Sequence, residues 1–198
     1  MRIALLALAC GLTLTACGGQ DGAATSDTAI GADTAAPPMT DVDTGATAAG
    51  TVTAMMRDAS GRELGTLMLA DAATGITVTG QLTGLPPGER AIHVHTIGQC
   101  EAPAFTSAGG HWNPTNRQHG TENPQGPHHG DMLNITVGAD STVNVNVTTQ
   151  GGTLHQADAL MDADGAAVVI HAGPDDYRTD PAGNAGDRIA CGVVQGGA

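Results

Sequence analysis

Lysine is absent from the 198 residues; all seven basic side chains are arginine, against 20 Asp and Glu, for a formal net charge of −13. That balance excludes nucleic acid as the main partner, because phosphate backbones are held by clustered positive charge. Aromatics are nearly absent as well, with Phe105, Trp112 and Tyr177 the whole set. No stretch of a dozen residues sustains a helical period, which argues against long helices. No apolar run is long enough to cross a bilayer as a stable helix. What is abundant is Gly, 29 residues, with 10 Pro, the composition of turns between short strands. The eight His are the informative excess, because all of them fall between positions 93 and 171. Clustered imidazoles in an acidic chain point first to metal.

Residues 1–16 carry one early Arg, an apolar run and a small-residue end, the pattern of an export signal. Leu14-Thr15-Ala16-Cys17 resembles the bacterial lipoprotein box, in which cleavage precedes the Cys and its thiol takes lipid. Ordinary cleavage without lipid is the competing reading. Two or more acyl chains would hold the protein stably on a membrane, whereas one would not. The expected address is therefore the periplasm or cell envelope, with an N-terminal lipid anchor. Residues 17–50 follow as that Cys and an acidic linker: five Asp and no base among Gly, Ala, Thr and Pro cannot bury enough surface to offset ordering entropy. Residues 51–198 form one domain, large enough to bury roughly two-thirds of its unfolded surface. It holds 15 acids and 6 Arg, a balance of −9.

Eight strands are expected at 51–56, 62–69, 75–82, 90–95, 132–137, 143–149, 166–171 and 188–194. Val143-Asn144-Val145-Asn146-Val147 alternates most clearly, as a half-buried strand should. The fold class is all-β, an eight-stranded antiparallel barrel or sandwich. Stretches 96–131 and 172–187 are long and strandless, a length that is uncommon unless the loop is functional or disordered. Six of the eight His lie in or beside them. Met55, Met56, Met68, Met132 and Met161 are scattered, which favours core packing over a copper store.

Cys100 and Cys191 remain after processing, and two Cys in one exported domain are expected to pair. His93 and His95 sit two apart on a strand and project from one face, so both imidazoles can meet one ion. His171 ends another strand and could supply a third nitrogen. Imidazole nitrogens suit copper, which stands highest in the divalent affinity order. In the first long loop, His111, His119, His128 and Asp131 offer three imidazoles and a carboxylate, a set that suits closed tetrahedral zinc. The His-x-x-Asp spacing selects His128 over its neighbour His129, which is read as solvent-facing with swapped roles left open. His155 is read as structural or exposed.

At this point a resemblance carries further. His93-Val94-His95, the run Ser107 to Pro114, His119-Gly120, His128-His129-Gly130-Asp131 and the run Gly183 to Gly192 together resemble the copper/zinc superoxide dismutase family, in order and across essentially all of 51–198. The resemblance implies a Greek-key barrel that converts superoxide to oxygen and hydrogen peroxide. It implies copper held by His93, His95, His111 and His171, and zinc held by His111, His119, His128 and Asp131. His111 would then bridge both metals and carry a proton in the cycle. Asp175 matches the carboxylate that links ligands of the two metals, Cys100 and Cys191 match the family disulfide, and Arg188 matches the anion-guiding residue. The substrate partner would be the superoxide anion. Monomer and homodimer both stay open. A non-catalytic copper-binding or delivery module on the same barrel is the alternative.

Overall fold

The computed structural model describes residues 51–156 and 159–196. The expected signal segment, Cys17 and the acidic linker lie outside the described residues. Nine strands follow in chain order: β1 (Thr51–Asp58), β2 (Glu63–Ala72), β3 (Gly75–Thr83), β4 (Gly88–Arg90), β5 (Ile92–His95), β6 (Ile135–Val137), β7 (Thr142–Thr148), β8 (Ala167–His171) and β9 (Arg188–Gly196). One short 3-10 turn, Thr106–Ala108, is the sole helical element among the described residues.

Seven strands form one antiparallel sheet in the order β5-β8-β9-β1-β2-β3-β7, and β4 pairs with β6 separately. That pair spans the gap between the ends of the large sheet. β4 runs into β5 through Ala91, and β6 runs into β7 through a tight turn in which the Gly138 N–H donates to the Thr142 carbonyl at 2.8 Å. The neighbours β3–β7, β5–β8 and β9–β1 are not consecutive in the chain, which makes the barrel a Greek key.

Alternation decides which side chains enter the barrel. Val52, Ala54 and Met56 of β1 point inward, as do Val143 and Val145 of β7, while Asn144 and Asn146 face water. Leu67, Leu69, Ile76, Val78, Leu82, Ile92 and Ile170 complete an aliphatic core with no exposure, each worth roughly 1.5–3 kcal/mol of burial. The outward positions of the same strands carry Met55 and Met68, 43% and 52% exposed, so these two do not pack in the core as their scatter led us to expect.

Two further differences from the expected strands have local causes. The single strand expected at 90–95 is two, because Ala91 gives its N–H to the Gly173 carbonyl and its own carbonyl to the His171 N–H. Its hydrogen bonds thus leave the β4–β6 ladder. The strand expected from 132 begins only at Ile135, because Asn134 spends its groups on the 172–187 loop. Its N–H donates to the Tyr177 hydroxyl at 2.9 Å, and its side-chain amide pairs with the main chain of Asp175 at 2.9 and 3.0 Å.

Candidate metal centre

β5 is buried on both faces. Ile92 and Val94 point into the barrel core, so His93 and His95 point outward, beneath the long loops. β8 behaves likewise: Val168 and Ile170 face the core, and Ala167, Val169 and His171 face out. Pairing sets His93 opposite Val169, which makes His171 its diagonal neighbour on the same face. The 96–131 loop folds back along the free edge of β5, where His111 bridges His95 and Asp131 bridges His93. The sheet edge is thereby covered by the loop that brings the remaining ligand candidates.

Each ring in this cluster has one nitrogen engaged. His95 Nδ1 meets the Gly109 carbonyl at 3.0 Å and His171 Nδ1 meets the Gly186 carbonyl at 3.1 Å. A carbonyl only accepts, so both Nδ1 atoms carry the proton and Nε2 keeps a lone pair. His93 Nε2 donates to Asp175 Oδ2 at 2.8 Å. Among the described residues five buried side-chain nitrogens are left without a hydrogen-bond partner, the fifth being His129 Nδ1, and four of them belong to this cluster: His93 Nδ1, His95 Nε2, His111 Nε2 and His171 Nε2. The residues of these four form one group whose ligand atoms lie within 4.8 Å of one another. Burial, and then the charge of His111, pushes His93 down to about 3. Burial drives His171 to about 4 and His95 well below its usual value, with Arg188 adding to both shifts. The rings are therefore neutral at physiological pH, the form that binds metal.

The second group centres on Asp131. Its Oδ1 lies 2.8 Å from His111 Nδ1, 3.1 Å from His119 Nδ1 and 3.2 Å from His128 Nδ1, and the His128 and His111 Nδ1 atoms are 3.4 Å apart. A tetrahedral zinc with bonds near 2.0 Å spaces its ligand atoms about 3.3 Å apart, so these four atoms fit the ion. Oδ2 accepts the main-chain N–H groups of Gly120 and His128 at 2.9 and 3.0 Å. Burial would raise the Asp131 carboxyl, but the hydrogen bonds from His111, His119 and His128 outweigh it and hold it far below the usual carboxylate range. His119 moves the other way. Burial pulls it down, yet the carboxylates of Asp131 and Asp175 raise it to about 9.

His111 belongs to both groups, Nε2 to the first and Nδ1 to the second. Asp175 ties them together a second time, accepting from His93 Nε2 through Oδ2 and from His119 Nε2 through Oδ1 at 2.9 Å.

The remaining sequence candidates fall into place around this pair. Cys100 and Cys191 are disulfide-bonded with Cα atoms 5.7 Å apart. With Phe105, Ala108, Ala167 and Val169 they form a small apolar cluster on the outer face of β8 and β9. That cluster seats the segment whose carbonyls hold Arg188: Nη1 donates to Phe105 and Nη2 to Gly109, both at 2.7 Å. The Gly109 carbonyl thus receives both Arg188 and His95. His129 is in neither group; it is half-buried with its ring 5.3 Å from that of Trp112, edge to face, rather than solvent-facing. His155 is exposed. The sequence reading missed Asn134 and Asp180, which hold these loops through main-chain contacts that no residue spacing discloses.

Comparison with known proteins bears on what such a centre does. The family model described as copper/zinc superoxide dismutase matches residues 64–194. Superoxide dismutase [Cu-Zn] 1 of Aquifex aeolicus is 46% identical over 138 residues, covering 68% of this chain and 82% of that protein. Superoxide dismutase [Cu-Zn] of Caulobacter vibrioides is 38% identical over 147 residues, covering 72% and 84% respectively. The crystal structure of a SOD-like protein from Bacillus subtilis superposes with a TM-score of 0.69 at 35% identity, over 72% of this chain and 97% of that one. The matched region takes in every residue of both histidine groups. The chain therefore belongs to the copper/zinc superoxide dismutase family, as an oxidoreductase that acts on superoxide with copper and zinc.

Proposed function

We propose that His93 Nδ1, His95 Nε2, His111 Nε2 and His171 Nε2 hold copper, and that the Nδ1 atoms of His111, His119 and His128 with the Asp131 carboxylate hold zinc, in a superoxide dismutase carried on a membrane anchor. The observation behind this reading is the division of His111: one ring nitrogen stands unpartnered among three others, and its second faces a carboxylate within a tetrahedral set. Copper supplies one-electron chemistry by alternating between Cu(II) and Cu(I), while zinc keeps its oxidation state and raises the acidity of the ring beside it.

Two superoxide anions and two protons give one oxygen and one hydrogen peroxide. His111 serves the proton balance. Nε2 gains a proton in one half of the cycle and delivers it to the second superoxide in the other, and water supplies the second proton. Loss of both ring protons is eased by two nearby cations. Asp175 orients His93 and His119 from the side away from the metals, which fixes both tautomers. Gly109 and Gly186 do the same for His95 and His171 through their carbonyls.

The domain's −9 charge repels a small anion, so a local positive field has to draw it in. Arg188 supplies that field: its charge acts on His95 and His171, and its two carbonyl bonds keep the guanidinium beside them. A non-catalytic copper-binding module would require a missing ligand or a missing Arg188, and all are present. The disulfide suits oxidising surroundings outside the cytoplasm, and Cys17 is the proposed lipid acceptor, checked by the mass of the mature protein.

The deciding experiment is superoxide consumption by the purified protein loaded with copper and zinc, beside His95→Ala. Rapid consumption lost in the variant supports the reading; equal consumption in both overturns it.

A further inference from the structure

His119 lies on no strand, yet it is fully buried and meets a carboxylate at each of its three nitrogens. Nδ1 faces Asp131 Oδ1 at 3.1 Å, Nε2 donates to Asp175 Oδ1 at 2.9 Å, and the main-chain N–H donates to Asp180 Oδ1 at 2.6 Å. The last two acids belong to one short loop, 172–187, which grips the residue at the tip of its ring and at its root. Two glycines let the loops close to this distance. A Cβ on Gly183, where φ is +63°, would collide with Asp175 Oδ1 and lie 2.7 Å from His119 Nε2. A Cβ on Gly120 would collide with the Tyr177 carbonyl. Beyond them the Glu122 N–H donates to the Tyr177 carbonyl at 3.0 Å, and Arg178 pairs with Glu122.

We propose that Asp180 is a positioning residue for zinc: by holding the His119 main chain it keeps Nδ1 within the tetrahedral set. The inference rests on reading the Asp131 group as the zinc site. Held only through its ring nitrogens, by Asp175 and Asp131, His119 still pivots about those contacts as its main chain shifts, and Nδ1 moves off the other ligands. A second anchor at the main chain removes the pivot. A carboxylate on an amide N–H makes a short charge-assisted bond suited to the task. Asp180 itself is largely exposed, so its removal leaves the core untouched.

The test uses the purified metal-free protein, its Asp180→Ala variant and its Asp180→Asn variant, which keeps an acceptor oxygen. Each is titrated with Co(II) and with Zn(II) against a chromophoric chelator, and separately with copper. Asp180→Ala is expected to bind Zn(II) and Co(II) about tenfold more weakly, with a weakened visible band of tetrahedral Co(II) and unchanged copper affinity. Asp180→Asn is expected to restore most of the loss. Unchanged zinc affinity in Asp180→Ala, an equal loss for copper and zinc, or no rescue by Asn overturns the proposal. Should the unaltered protein itself take up Co(II) without the tetrahedral band, the zinc reading fails and takes this proposal with it.

Discussion

The two histidine groups differ in what holds them. Three of the four rings proposed for copper stand on β5 and β8, strands buried on both faces, and main-chain carbonyls orient two of them. The Asp131 group stands on a loop that touches the sheet only through isolated bridges at His111 and Asp131, so its geometry has to come from carboxylates, two close glycine contacts and hydrogen bonds between loops. The first group leaves one buried nitrogen of each ring unpartnered; the second ties the Nδ1 atoms of His111, His119 and His128 to one ionised carboxylate. A strand can afford to present orphaned nitrogens because its backbone is fixed by the ladder. A loop lacks that ladder and needs internal hydrogen bonds to hold a shape before any ion arrives. His111, the loop ring of the first group, is held by Nδ1 on Asp131 and by its bridge to β5.

The sharpest way to break that contrast is to remove one side chain from each group in the metal-free protein. Asp131→Ala strips three buried imidazoles and two main-chain N–H groups of their common acceptor and should cost roughly 3–5 kcal/mol. His95→Ala should cost about 1 kcal/mol, because the cavity it opens is partly offset by removal of an unpartnered nitrogen. Urea unfolding of the two metal-free variants measures both. Equal losses would mean that the groups are held in the same way.

The same contrast governs what could be read in the sequence. The strand group was legible because its signal is local: His93-Val94-His95 places two rings on one face by the period of two alone. The loop group was legible as three imidazoles and a carboxylate spaced along one strandless stretch, with His-x-x-Asp selecting His128; the sharing of His111 with the strand group came from the family resemblance. What stayed hidden is the set of contacts that hold the loops. Asn134 pairs with the main chain of Asp175, 41 residues away, and Asp180 reaches the main chain of His119 over 61. Such bonds use side chains that look like ordinary loop polar residues, and backbone atoms that carry no sequence signature. The break of one strand at Ala91 escaped notice for the same reason, since its cause is a hydrogen bond to Gly173 in a distant loop.

Arg188 belongs to the strand side of the comparison, at the start of β9 and held by two carbonyls at 2.7 Å. Its guanidinium is half-buried, and burial lowers its pKa somewhat while leaving it cationic. Arg188→Glu should lower superoxide consumption at least tenfold while both metals stay bound. The salt dependence should also reverse. Added salt screens an attraction in the unaltered protein and slows it, but screens a repulsion in the variant and speeds it. Pulse radiolysis at several ionic strengths reads both effects. An unchanged rate would remove Arg188 from the steering role.

The smallest expected effect separates the two groups by pH. In the metal-free protein His93 and His171 are pushed to about 3 and about 4, chiefly by burial. A base weakened by folding protonates more readily when unfolded, so the stability these residues contribute is complete above about pH 6.5 and falls away as pH drops toward those values. His119 has the opposite sign. Burial acts against its charge, but Asp131 and Asp175 raise it to about 9, so its contribution is complete below about pH 6.5 and is lost as pH climbs to that value. The two limbs meet near neutrality, and metal-free stability should peak at about pH 6–7. Between about pH 6.5 and pH 4 the acid limb belongs to the strand group, and the alkaline limb belongs to the loop group; below about pH 4 the depressed carboxyls of Asp131 and Asp175 add to the acid loss. Asp175→Asn should therefore flatten the alkaline limb in urea unfolding while the acid limb keeps its slope down to about pH 4, below which the charge of Asp175 itself is lost from the balance. If the alkaline limb survives that substitution intact, the charge on His119 is not what holds the loop together before zinc binds.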